Sequence, residues 1–206
     1  MFRLFVFAVI VATAAFAQTA DGPYQVRYAS NLNIGESVIN ITNTGAIGAG
    51  LQSGTSASTT GAICVNVYAF SPDEQMVSCC SCPVTPNGLV SLGAQRDLIS
   101  NTLTPAVPTS ITIKLLATVP VGGSCNNSAA AVVANELAPG MAAWGTTLHA
   151  GVGGGYEVTE TAFTPATLSA GELFRLGTLC NFILANGSGF GVCRSCRLGG
   201  LGAARR

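Results

Sequence analysis

Eight cysteines carry the densest chemistry in this chain: Cys64, Cys79, Cys80, Cys82, Cys125, Cys180, Cys193 and Cys196. Three of them crowd into four positions of CCSCPVTPNG, residues 79–88. Sulfur at this density can ligate a metal, run thiol redox chemistry, or staple a fold. Cys79/Cys82 and Cys193/Cys196 have CxxC spacing, and two such pairs form a zinc signal in a reducing compartment. A redox CxxC needs its thiolate at a helix N-terminus in a βαβ setting. Cys193-Arg194-Ser195-Cys196 instead sits in a Gly-rich tail. Disulfides need an oxidising environment and an even cysteine count.

The start of the chain addresses the compartment. Met1-Phe2-Arg3 precedes an apolar run from Leu4 to Ala17, broken only by Thr13 and closed by Ala15-Phe16-Ala17. One basic residue, a short apolar core and small residues before Gln18 read as a secretory signal peptide, residues 1–17. A spanning helix needs about 20 apolar residues, more than this run supplies. The expected mature chain, 18–206, is exported, soluble and not inserted in a membrane, and the localisation read from it is extracellular, cell-surface or periplasmic. In that setting all eight cysteines become disulfide candidates. Eight cysteines permit on the order of a hundred full pairings, and spacing does not choose among them.

Other chemistry is sparse. His149 is the single histidine, and a secreted hydrolase would have to pair it with a hydroxyl and a carboxylate such as Glu157 or Glu160. No G-x-S-x-G elbow is present. On a regular strand Glu157 and Glu160 face opposite ways, which spoils them as a glycosidase pair. Asp97 and Glu172 read as turn and capping residues, and Trp144 as packing between sheet and helix. The glycine-rich stretches at 45–50 and 187–191 lack the strand–loop–helix setting of a phosphate loop. Nine basic residues balance nine acidic ones, and only 9% of residues are charged. That balance offers no electrostatic case for a nucleic-acid partner. Arg194, Arg197, Arg205 and Arg206 read as solvated charge on a tail starting near residue 197. No catalytic residue, metal ligand or cofactor site is assigned.

The elements that must position these groups are mostly strands. Tyr24, Val26 and Tyr28 alternate with Gln25 and Arg27, Val38–Thr42 is β-branched, and Ile63–Phe70 (ICVNVYAF) is the most β-prone run. Residues 45–62 read as a long surface loop. The strand entering the cluster aims successive side chains at opposite faces, so Cys79 and Cys80 cannot share one core. One turns inward and the other ties down a neighbouring element. Ile111, Ile113, Leu115, Ala117 and Val119 form the clearest alternation, and 141–149 with 156–163 predict a hairpin across a glycine loop.

One helix is expected. Ser169-Ala170-Gly171-Glu172 is a capping box, Leu168 and Leu173 a hydrophobic staple, and Asn186-Gly187 the stop. Leu173, Leu176, Cys180 and Ile183 share its apolar face, which aims Cys180 at Cys64 or the 79–82 cluster. The predicted fold is mostly β: one disulfide-stapled antiparallel β-sandwich domain, with Greek-key connections and a C-terminal α-helix.

The segments CVNVYAFSPDEQMVSCCSCPVTPNGL, AWGTTLHA, VTETAFTPATLSAGEL and NGSGFGVCRSC resemble a group of exported bacterial proteins of unknown function. The resemblance runs from about Tyr24 to Cys196, and its most specific marks are the CCSC cluster and the closing CRSC. It implies an exported, cysteine-stapled domain and carries no activity, cofactor or catalytic residue with it.

The leading functional expectation is a non-catalytic, exported structural, surface-associated or interaction protein whose partners are copies of itself or other surface proteins. Its neutral Ser/Thr/Gly-rich surface suits such contacts. A cysteine-dependent metal-binding or thiol-redox protein is the alternative, and a hydrolase built on His149 the third.

Overall fold

A computed structural model describes residues 22–50, 60–125 and 136–194. The expected signal peptide and the tail beyond residue 194, with Cys196, lie outside the described residues, as does the middle of the 45–62 loop. The chain order is β1 (Tyr24–Ala29), β2 (Val38–Asn43), β3 (Ile63–Phe70), β4 (Met76–Val84), β5 (Leu89–Gly93), a π-helical segment (Ala94–Ile99), β6 (Ile111–Thr118), β7 (Met141–Ala150), β8 (Tyr156–Ala162), β9 (Thr164–Pro165) and α1 (Ala170–Ala185).

The strands form two antiparallel sheets, β4-β3-β6-β1-β9 (sheet A) and β5-β2-β7-β8 (sheet B). The chain leaves β3 through β4, crosses to β5 in the other sheet, and returns as β6 beside β3. That return is a Greek key spread over both sheets.

Burial explains the layering. β2 alternates half-buried and buried side chains, as expected of a sheet with one covered face, whereas all eight residues of β3 are buried. Sheet A is covered twice. Its inner face, with Val65, Val67, Ile113 and Leu115, meets Ile39, Ile41, Leu92 and Met141 of sheet B. On its outer face Tyr24, Tyr68, Phe70 and Leu116 lie under Leu176, Cys180 and Ile183 of α1.

This second cover changes the reading of β1. Tyr24 and Val26 do not face the sandwich core but the helix layer, while Gln25 and Arg27 point between the sheets, 0% and 7% exposed. They are tolerable there because each finds hydrogen bonds. Gln25 Nε2 donates to the Met141 carbonyl at 2.6 Å, and Arg27 donates to the hydroxyls of Thr147 (2.7 Å) and Thr161 (3.2 Å).

The helix starts and stops where its residues predict, with one change. Ser169 Oγ accepts from the Glu172 amide at 3.1 Å, and Leu168 and Leu173 both pack at the helix–sheet layer. Glu172, however, does not complete the capping box. Its carboxylate bonds Lys114 Nζ on β6 at 2.5 Å, since a full positive charge outcompetes the cap amide. Gly187, at φ +68°, ends the helix as its amide donates to Leu184 O.

Two placements depart from expectation. Trp144 is half-buried on the outer face of sheet B, across from Asn40 and Ala162, while α1 covers sheet A. It therefore packs on neither helix nor core. Asp97 is no exposed turn residue: it is 3% exposed in the π-helical segment, where its carboxylate accepts from the Gly93 amide at 2.6 Å and from Arg96. Glu36 accepts from the amides of Gln95 and Arg96, so the start of that segment is capped from a distant loop.

Candidate interaction surface

The described cysteines are oxidised and spread over three parts of the molecule. Cys64 on β3 bonds Cys125, Cys79 bonds Cys180 on α1, and Cys80 bonds Cys193. Cys82 is disulfide-bonded as well, and no described cysteine is free. Strand alternation divides the neighbours as their sequence requires: Cys79 belongs to the helix layer and Cys80 to the core between the sheets. Neither CxxC closes on itself, because Cys79 and Cys193 both bond elsewhere.

The Cys80–Cys193 bond also manages an edge. Residues 191–193 lie along β4: the Cys79 amide donates to Gly191 O at 2.8 Å, and Val192 bridges to Cys79 in parallel. Gly191 has φ +75°, and a Cβ there would come within 2.8 Å of Ile183 on α1. At the other side sheet A ends in β9, two residues long and finishing in Pro165. Both flanks of sheet A are thus blunted.

Sheet B is different. β8 is its terminal strand, pairs only with β7 among the described residues, and exposes all seven of its residues. Tyr156 and Val158 are 65% and 62% exposed on one face, where Val158 stands across from Leu148. The opposite face carries Glu157, Thr159 and Thr161, set against His149, Thr147 and Gly145 of β7.

One side chain from the other sheet reaches this hairpin through its polar face. Arg27 lies so close to the Gly145 backbone that a Cβ there would be 2.9 Å from Nη1. No described carboxylate pairs with it, Nη1 is buried without a partner, and desolvation lowers the guanidinium pKa. Arg27 acts as a latch between sheet A and the hairpin.

Among the described residues His149 bonds a hydroxyl and pairs with no carboxylate. Its Nε2 lies 2.9 Å from Thr159 Oγ1, and Glu157 is its neighbour across the strands without an ion pair. Glu157 and Glu160 are three positions apart on a regular strand and face opposite ways. Two surface clefts flank Val107 and Pro108, of about 470 and 360 Å³. Among the described residues Asp73 is the sole carboxylate lining either, and His149 lines neither. Among the described residues no three His, Cys, Asp or Glu side chains converge as metal ligands, and no helix is long and apolar enough to cross a membrane.

The geometry therefore defines a disulfide-clamped β-sandwich with one blunted sheet and one open-edged sheet. Comparison with protein-family models, curated proteins and solved structures finds no match.

Proposed function

We propose that this is an exported bacterial protein, non-catalytic, which acts as a structural or interaction module by strand addition at the open edge of sheet B. The observation that carries the reading is β8, a seven-residue strand exposed on both faces and unpaired along its outer edge among the described residues. A row of unpaired backbone donors and acceptors is a template for another strand. A second copy fits it. With a two-fold axis at Thr159, Val158 of one chain meets Glu160 of the other and Glu157 meets Thr161, so no carboxylate opposes a carboxylate. Two four-stranded sheets would then join as one.

Export is supported by the apolar N-terminal run and by disulfides, which form and persist in oxidising compartments. The thiol-metal and thiol-redox alternative is weakened by the engagement of Cys79, Cys80, Cys82 and Cys193 in disulfides. Sedimentation velocity of the mature oxidised protein over a wide concentration range tests the reading. Reversible association is expected, and V158E, which sets two acids against each other across the two-fold, should weaken it. A strict monomer at millimolar concentration, with no retention at the cell surface, would sink the reading.

A further inference from the structure

Arg27 is a buried cation whose charge no described carboxylate answers. Its Nη2 and Nε donate to the hydroxyls of Thr147 and Thr161, and its Nη1 is buried with no partner. A charge held this way stays costly unless an opposite charge comes close. The side chain crosses from sheet A, lies against the bare backbone of Gly145, and ends at Thr161 on β8, the terminal strand of sheet B. Gly145 and Thr161 stand directly across from each other. The guanidinium thus lies along one cross-strand row, and the next place in that row belongs to whatever strand adds to β8.

Backbone direction fixes what that place holds. The Phe163 amide donates to Ala143 O on β7. Alternation then turns the backbone groups of Thr161, Thr159 and Glu157 toward β7, and those of Tyr156, Val158, Glu160 and Ala162 outward. An antiparallel second copy must use these outward groups. The two-fold register centred on Thr159 satisfies them and pairs all seven residues of the strand, whereas centring on Glu157 or Glu160 would oppose two acids. In that register Glu157 of the second copy stands across from Thr161 as a non-hydrogen-bonded pair. Such pairs have Cα atoms about 4.5 Å apart and the closest side chains.

We propose that Glu157 of a second copy supplies the counter-charge that Arg27 lacks, once in each direction across the two-fold. The inference rests on the reading of β8 and adds the side chains that select a second copy over other strands. Any strand can satisfy the backbone of an edge, but only one with an acid at this place answers the guanidinium. Gly145 belongs to the same device: a Cβ there would come within 2.9 Å of Nη1 and push the charge off the row.

Sedimentation velocity of the mature oxidised protein over a concentration series tests the pair. E157Q alters an exposed side chain with no ion pair among the described residues, so the fold is spared. It should weaken self-association about tenfold or more, because a close charge pair is lost twice per dimer. R27M should weaken it similarly, with melts in dilute solution checking that the monomer stays folded. R27M/E157Q should cost no more than the worse single variant, since both changes remove one interaction. E160Q, on the same strand but the opposite face, should not weaken association. Unchanged association of E157Q, additive losses in the double variant, or equal weakening by E160Q overturns the proposal. If V158E still weakens association in those cases, β8 remains the contact and only the charge pair falls. A wild-type chain that stays monomeric removes both.

Discussion

Cys79 and Cys80 are adjacent on β4 and are bonded to opposite sides of sheet A, the first to the helix layer and the second to the C-terminal segment. A single peptide unit thus anchors two elements that arrive more than a hundred residues later: the bonds span 101 and 113 residues. The outer layer of the fold depends on the first of these bonds.

Removing that clamp should be costly. Cross-linking a loop of this length removes about 4–5 kcal/mol of unfolded-chain entropy in the loop-closure account. C79A/C180A is expected to lose stability of that order in urea denaturation, and to expose α1 to limited proteolysis before the sandwich unfolds. Cys82 is disulfide-bonded too, and peptide mapping without reductant should recover a peptide linked through it beside the Cys64–Cys125, Cys79–Cys180 and Cys80–Cys193 links.

Arg27 gives a prediction with opposite signs for two replacements. Its guanidinium is buried with two hydroxyl partners and no counter-charge among the described residues, so the charge itself is a burden. Arg27→Met keeps the volume and drops the charge, and is expected to leave thermal stability unchanged or raise it. Arg27→Ala opens a cavity between the sheets and should cost about 2–4 kcal/mol. Gly145→Ala forces a methyl against the guanidinium and should cost about 1–3 kcal/mol. Denaturation midpoints check all three.

The helix layer also sets an alkaline limit. Burial, then the nearby Glu172 carboxylate, pushes the Tyr24 phenol up to about 12 from an ordinary value of 10.0. Burial, then Tyr24, raises Tyr68 further. Each phenol releases its proton more readily from the unfolded chain, so folding stability is full below pH 10 and falls as pH rises toward 12. Urea midpoints measured from pH 9 to 12 should drop across that window. Tyr24→Phe should flatten the drop, and a pH-independent midpoint would contradict the assignment.

At the helix start, Ser169→Ala removes the acceptor for the Glu172 amide and should cost about 1 kcal/mol. Glu172→Gln weakens a half-buried ion pair with Lys114 and should cost less than about 1 kcal/mol, with a loss that shrinks in high salt. Thermal melts at two salt concentrations separate the two effects.

What was legible in the residues is what local physics encodes. Alternation in Ile111–Ala117 and β-branched density in Ile63–Phe70 predict strands because side-chain direction repeats every two residues. The 141–149 and 156–163 runs predict a hairpin, and the cap and stop around 169–187 predict a helix, because each signal lies within a few bonds of its effect. The split of Cys79 from Cys80 followed from the same alternation. The choice of Cys180 for Cys79 and of Cys193 for Cys80, the inward turn of Gln25 and Arg27, the outward position of Trp144 and the bare edge of β8 were decided only in three dimensions. Each depends on which surface a distant segment covers, and a helix laid on one sheet buries a face that alternation alone would assign to solvent. Periodicity dictates that a strand has two sides; only packing dictates what each side meets.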